Sequence, residues 1–477
     1  MTVLGSSVLL YLVLMIPISF YASRFVKNSA DYVLAGRNLP FYMAMATVFA
    51  TWLGSDSILG ASSKMAEGGF LNVMADPFGA GLCLILIGFF FAPKLYALRH
   101  LTLGDYFEER YNRTISVLLS IAITITYFGW VAAQFVALGL VMQYVFHMPF
   151  LYGILISASI VVIYTYIGGM WSVVMHDLIQ TTIIVLGLLF IFVEVLYQVG
   201  GMGQIIAQTP PEYFKLVPPP SVKEWLLYIA AWITMGLGSI PQQDVYQRAM
   251  SAKSATVSKW ASVGGGIFYF TIVLIPLFLG LAARIIHPEL LADGADSQML
   301  IPTLVGENTN VFVQVMFYGA LLSAIMSTAS AAILAPATLV AENIVKPFYP
   351  RVSDRRLVHL IKISILGVAA GAIFLGIKQG NIYDLVGSSY SITLVSAFVP
   401  LAAGLYWKKA NNLGAMLSIL FGALVWQGME QLAPESFVVP SIIAGFLASI
   451  AGMILGVFAI HVHSRIKKTT PAPARIG

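Results

Sequence analysis

Apolar stretches of 18 or more residues follow one another along nearly the whole chain, separated by short polar connections. A helix of that length crosses the roughly 30 Å hydrocarbon core of a bilayer. The pattern predicts about thirteen spans, near 5–23, 41–66, 77–96, 114–143, 149–167, 172–199, 224–243, 260–284, 309–340, 358–377, 382–407, 412–430 and 439–463. Two of them are interrupted. The second carries Ala50-Thr-Trp-Leu-Gly-Ser-Asp-Ser-Ile-Leu-Gly60, and the seventh closes on Met235-Gly-Leu-Gly-Ser-Ile-Pro-Gln-Gln-Asp244. Gly and Pro there release backbone polar groups inside the membrane, which is tolerated only where protein or a cavity takes them up. Paired interrupted helices point to the binding site of an inverted-repeat secondary transporter.

The breaks also predict the organisation of a single all-α polytopic membrane domain. Residues 1–40 form a leading helix and loop. Residues 41–199 form a first five-helix repeat, and 224–407 its inverted partner, each opening on an interrupted helix. Residues 412–463 add two peripheral helices, and 464–477 form a cytoplasmic tail. The first span is long and lacks a small-residue cleavage site, so it is expected to be retained. Pro210-Pro211 and Pro218-Pro-Pro220 predict a stiff outer segment; the tail from Thr469 is expected to be disordered.

Composition agrees with the pattern: 59% of residues are hydrophobic and 10% charged, with a mean hydropathy of +0.86. The charge chiefly sets orientation. With the N-terminus outside and the C-terminus inside, about 21 Lys and Arg fall on the cytoplasmic side, Arg24, Lys27, Arg248, Arg355, Lys408 and Lys467 among them. The outer connection near 286–308 is acidic, with Glu289, Asp293, Asp296 and Glu307. The net charge of +5 therefore reads as topology and not as a nucleic-acid patch. A plasma membrane is the expected location, the inner one in a bacterium. The single Cys83 excludes an internal disulfide and reads as a core residue. Asn112-Arg-Thr, a formal sequon, faces the cytoplasm on this topology. No Gly-x-x-x-x-Gly-Lys-Ser/Thr loop is present, so ATP is not the expected energy source, and enzyme motifs such as His-Glu-x-x-His or Gly-x-Ser-x-Gly are also missing.

The candidate chemistry lies in the spans. In Ser323-Ala-Ile-Met-Ser-Thr-Ala-Ser330, residues Ala324, Ser327 and Thr328 share one helical face. With backbone carbonyls near Ala50 and Leu53 they could supply five hard oxygen ligands, suited to an alkali cation. Small hydroxyl residues also serve close helix packing. Asp177 sits near the start of the sixth span, where a carboxylate costs at least roughly 2.5–3.5 kcal/mol and needs a cation, a proton or a route to the surface. His176 reads as interfacial. Asp56, at the first break, either faces a cavity or caps the second half-helix. Trp52 and Trp130 could offer two indole faces to an alkylammonium group, or could simply pack. Gln242 and Gln243 could bond its polar end.

An ordered set of stretches resembles the sodium:solute symporter family: Tyr32-Val-Leu-Ala-Gly-Arg-Asn-Leu39, Thr102-Leu-Gly-Asp-Tyr-Phe107 with Arg110-Tyr111, Gly168-Gly169 through Asp177 and Gln180, Gln243 through Gln247-Arg248, and Ser323 to Thr328. The resemblance implies a LeuT-type 5+5 inverted repeat and Na⁺-coupled uptake. It maps the main Na⁺ site onto Ala50, Leu53, Ala324, Ser327 and Thr328. It places a possible second cation at Asp177 and Ser330, although Ala331 replaces a hydroxyl there. Ala50-Thr-Trp-Leu-Gly and Trp130-Val-Ala-Ala-Gln-Phe-Val-Ala-Leu-Gly139 are similar to the choline-transporter branch, with Trp52 and Trp130 matching two cage tryptophans and Gln242 standing where a third would be. The expectation is a Na⁺-coupled symporter, not an enzyme, for an amine, quaternary ammonium or amino-acid-like solute. Proton coupling, a carboxylate or sugar substrate, and a channel or sensor are the alternatives. Membrane lipid is the implied surrounding; no nucleic-acid partner is expected, and monomer and homo-oligomer are both open.

Overall fold

Lipid offers no hydrogen-bond partners, so each apolar run must satisfy its own backbone by coiling into a helix. The computed structural model describes residues 2–292, 296–349, 351–378, 382–432 and 437–469. Asp293 of the acidic outer connection and residues 470–477 of the tail lie outside the described residues. Among the described residues, ten helical segments are long and apolar enough to cross a membrane. The spanning elements, in chain order, are α1 (Val3–Ser23), α2 (Phe41–Trp52, resuming at Asp56–Gly60 and Ala61–Gly68), α3 (Phe70–Leu98), α4 (Arg113–Phe146), α5 and α6 (the two parts of Phe150–Val199), α7 (Val222–Gly236, resuming at Gln243–Ser251), α8 (Ala255–Ile286), α9 (Val311–Phe348), α10 (Asp354–Lys378), α11 (Ile382–Thr393 continuing to Tyr406), α12 (Asn412–Leu432) and α13 (Ser441–Thr469).

Ten and thirteen differ for physical reasons. The two interrupted helices, α2 and α7, have no unbroken half long enough to span. The remaining difference is Phe150–Val199, predicted as two spans and built as one helical run of 50 residues. Straight, it would be about 75 Å long, over twice the membrane core. It bends at Gly169, whose φ of +54° and ψ of −140° no helix contains. A Cβ there would sit 2.5 Å from the Tyr32 carbonyl oxygen, so only glycine allows the approach.

Asn112 accepts from Ile115 N at 2.9 Å and so starts α4; the apparent sequon is a helix cap. Asn310 does the same for α9 through Val313 N at 3.1 Å. The Pro-rich outer segment is less extended than its composition predicts, since Met202–Gln208 coils just ahead of its first prolines and Pro211–Phe214 coils between the two proline groups.

Apolar side chains fill the interior and also cover much of the outside. Leu10, Val13 and Phe20 on α1, Leu424 on α12 and Phe458 on α13 are exposed, as faces turned to lipid should be. Polar and charged residues collect at the centre. Helix α9 is the axis: 94% of its most apolar window is buried, and it packs against α4, α5–α6 and α10. Helix α8 covers the first half of α2, and α11 lies on α4. The breaks in α2 and α7 thus sit beside the most buried helix.

Candidate functional site

The first break begins where Leu53 leaves helical geometry, at φ −90° and ψ 77°. The chain re-enters through the wide turn Asp56–Gly60. Gly54 lies between, and a Cβ on it would meet Asp56 Oδ1 at 2.6 Å and Gln134 Oε1 and Thr328 Oγ1 each at 3.0 Å. Glycine here lets the break nestle between α4 and α9.

On the α9 side, Thr328 Oγ1 lies 3.3 Å from the Ala50 carbonyl and 3.0 Å from that of Thr51. Ser327 Oγ lies 3.2 Å from the Ala50 carbonyl and 2.5 Å from Asp177 Oδ1. Ala50, Ser327, Thr328 and Asp177 are therefore one oxygen cluster, fully buried. Ala324 lies one turn back along α9, and Leu53 forms the helix end three residues past Ala50; both are fully buried. The Ser330 hydroxyl is engaged by the Ser327 carbonyl at 2.8 Å. A donor set made only of oxygens suits a hard cation.

Asp177 does not reach a membrane surface. It is fully buried, accepts from the Thr47 and Ser327 hydroxyls, and faces Arg248 Nη2 at 3.9 Å. His176 is equally buried and bonds the Met15 carbonyl at 2.9 Å, which corrects its expected interfacial place. Arg248 corrects the charge count in the same way. Counted above as a cytoplasmic charge, it is 1% exposed. Its Nε donates to the Thr47 carbonyl at 3.1 Å and its Nη1 to the Asp244 carbonyl at 3.3 Å. The Asp244 carboxylate accepts from Tyr127 OH, and the same hydroxyl accepts from Asp244 N at 2.9 Å.

Next to this network lies an aromatic box. Trp52 and Trp130 have ring centroids 6.3 Å apart. Tyr390 of α11 supplies a third face, stacked on Trp52 at 6.0 Å and 17° and edge-on to Trp130 at 6.0 Å. Tyr127 stands 5.9 Å from Trp130. Tyr390 carries no signal in the sequence; the structure brings its ring to both indoles. Among the described residues, Trp130 Nε1 and Tyr390 OH are buried with no hydrogen-bond partner.

The two glutamines part company. Gln242 Nε2 reaches Thr126 Oγ1 at 3.2 Å and Thr393 Oγ1 at 3.4 Å, one turn from Trp130 and from Tyr390. Gln243 opens the second half of α7, and its Oε1 accepts from Leu103 N at 2.9 Å. It is not brought to the box, because consecutive residues at a helix start face different ways.

Asp56 closes the other side. Its Oδ1 is 3.5 Å from Gln134 Nε2, and Gln134 Oε1 accepts from Ser55 N at 3.0 Å. Nearby, Asp76 accepts from Tyr269 OH at 2.9 Å and faces Ser57 Oγ at 3.4 Å. Four carboxylates are thus buried at the centre, Asp56, Asp76, Asp177 and Asp244, while Arg248 is the only buried Lys or Arg among the described residues.

Comparison with known proteins gives this geometry a context. The profile described as "Sodium:solute symporter family" matches residues 32–422. The human high affinity choline transporter 1 is 25% identical over 439 residues, covering 87% of this chain and 75% of the relative. The osmoregulated proline transporter OpuE of Bacillus subtilis is 28% identical over 468 residues, with 94% and 93% covered. The sodium/pantothenate symporter of Haemophilus influenzae is 25% identical, with 92% of each chain covered. Among solved structures, a Na⁺-coupled sialic acid symporter in a substrate-bound outward-open state superposes with a TM-score of 0.82 at 19% identity, over 97% of this chain and 98% of the other. Mhp1, a nucleobase-cation-symport-1 family transporter in a closed conformation with bromovinylhydantoin bound, gives 0.56 at 15% identity, over 90% and 95%. The shared fold is the LeuT-type inverted repeat.

Proposed function

The chain belongs to the sodium:solute symporter family, and on that premise we propose that it imports a small amine-bearing solute, a quaternary ammonium or amino-acid-like compound, driven by Na⁺. The carrying observation is the imbalance, among the described residues, of four buried carboxylates against one buried arginine. Buried charge is tolerated only when paired, so a centre of this kind calls for cations. Na⁺ at Ala50, Leu53, Ala324, Ser327 and Thr328 supplies one. Asp177, shared between Ser327 and Arg248, either ligates that ion through its free lone pairs or holds a second one with Ser330. A cationic nitrogen in the box of Trp52, Trp130 and Tyr390 supplies another, facing Asp56, with Gln242 at its polar end. Cation–π contacts contribute about 2 kcal/mol each when desolvated. The relatives named for choline and proline carry such a nitrogen; those named for pantothenate and sialic acid mark the carboxylate alternative.

Coupling follows from sharing one break. Na⁺ bridges the end of the first half of α2 to α9, while Trp52 and Asp56 of the same segment face the solute. Each ligand fixes backbone that the other needs, so occupancy of both favours the transition between outward- and inward-facing states, with the repeats 41–199 and 224–407 moving against each other. The basic bias of the connections supports a cytoplasmic C-terminus, and import of a solute implies the plasma membrane. One charge entering at about 100 mV releases roughly 2.3 kcal/mol, and a tenfold Na⁺ gradient adds about 1.4 kcal/mol. A neutral solute could then be concentrated roughly 500-fold.

Proton coupling is the second reading, favoured by two carboxylates buried on neighbouring segments, Asp56 and Asp76, with Ser57, the residue after Asp56, holding its Oγ 3.4 Å from Asp76; a proton on one would relieve the burial of two charges. Competition for uptake by choline, betaine, proline, a carboxylate and glucose tests the substrate class. Inhibition by amines supports the proposal; inhibition by the carboxylate or glucose alone overturns the amine while leaving the symporter.

A further inference from the structure

A second site lies at the membrane face where α1 ends and α10 begins. There a groove of about 990 Å³ opens between α1, α10 and the bend of α5–α6, lined by Phe20, Lys27, Tyr166, Arg355, Arg356 and Lys362. Its single carboxylate, Asp354, is engaged by Ser29, whose N and Oγ donate at 2.8 and 2.5 Å. Among the described residues, none of the four cations forms an ion pair with a carboxylate. Orientation signals alone would leave such residues in loops. Lys362 is different: it lies within α10, half-buried, its ammonium 4.8 Å from the ring centroid of Tyr166 and 5.6 Å from that of Tyr32. The groove therefore combines a basic rim with an apolar wall, since Phe20 is 59% exposed on the lipid-facing side of α1.

We propose that this groove binds the headgroup of an anionic phospholipid, its phosphate between Arg355, Arg356 and Lys362 and its acyl chain along Phe20. Basic pockets between transmembrane helices take anionic headgroups by charge, while the adjoining hydrocarbon face takes the tail. Arg offers a planar fork to phosphate, and Lys a point charge. A bound lipid would tie α10, in the second repeat, to α1 and to the bend of α5–α6 in the first repeat.

Native mass spectrometry of the full chain in detergent tests this, with phosphatidylglycerol, cardiolipin or phosphatidylcholine added. Retention of the anionic lipids over phosphatidylcholine is expected. R355Q/R356Q/K362Q should reduce it by roughly tenfold or more, whereas K408Q/K409Q, at exposed lysines elsewhere, should not. The charge-conserving R355K/R356K/K362R keeps the test sound if the neutral variant folds poorly, and should retain the lipid. Equal retention of phosphatidylcholine, or unchanged anionic retention in the neutral variant, overturns the proposal. Displacement of the lipid by millimolar inorganic phosphate would assign the site to free phosphate instead and also overturn it.

Discussion

Thr328→Val removes one oxygen from the cation cluster and little else. Valine matches threonine in shape, so packing in the fully buried site is preserved. Without Na⁺, the Thr328 hydroxyl lies against two neutral carbonyls, Ala50 at 3.3 Å and Thr51 at 3.0 Å. Such a bond contributes about 1 kcal/mol, whereas one to a charged partner contributes about 1.5–3 kcal/mol. The difference, about 0.5–2 kcal/mol, is what Na⁺ affinity should lose, since the empty-state part is lost from stability instead. At 1.4 kcal/mol per factor of ten, half-saturating Na⁺ should rise roughly 2- to 30-fold. Thr328→Ser keeps the oxygen and should stay near the parent value. The assay is Na⁺-dependent tryptophan fluorescence of purified protein, with Trp52 in the same break as reporter, alongside Na⁺ titration of uptake. Equal half-saturation in parent, Ser and Val variants would refute the assignment of Thr328 to the ion.

Trp52→Leu and Tyr390→Leu should each weaken solute binding by about 1–2 kcal/mol, read as the competition constant of an amine, with Na⁺ half-saturation moving far less; an unchanged constant in both would remove the box from the site. Asp177→Asn keeps the size and loses the charge, so the Na⁺ response should change while the ranking of competing solutes stays; uptake driven by a pH gradient in Na⁺-free medium would hand the role to protons. Gly54→Ala puts a methyl 2.6 Å from Asp56 Oδ1 and 3.0 Å from Thr328 Oγ1, so both Na⁺ and solute affinity should fall together while the protein still inserts; loss of only one would separate the two sites.

The breaks were legible because Gly and Pro are scarce signals inside apolar runs, and the same peptide groups that they free face Thr328 and Ser327. The 3–4 spacing of α9 placed those two hydroxyls on one face before any geometry was known. Trp52 and Trp130 were visible as aromatics at and opposite the break. Tyr390 was not, because it comes from a stretch distant in sequence whose role depends on α11 lying across α4. Asp76 gives no signal because the apolar run begins only at 77, whereas the helix starts at Phe70 and carries the acid inward. Arg248 looked like a surface charge, since a charged residue just beyond a span usually is; the second half of α7 instead runs inside the bundle. Gln242 and Gln243 could not be told apart, because in a non-helical break no periodicity says which neighbour faces the solute.

The central claim, Na⁺-driven import of an amine, is tested most directly in proteoliposomes with an imposed inward Na⁺ gradient and labelled choline or proline inside and outside. Accumulation above equilibrium is predicted, rising with an inside-negative potential and vanishing when the Na⁺ gradient is collapsed. Accumulation that persists in Na⁺-free medium under a proton gradient, or that occurs only with a carboxylate or a sugar, would contradict it.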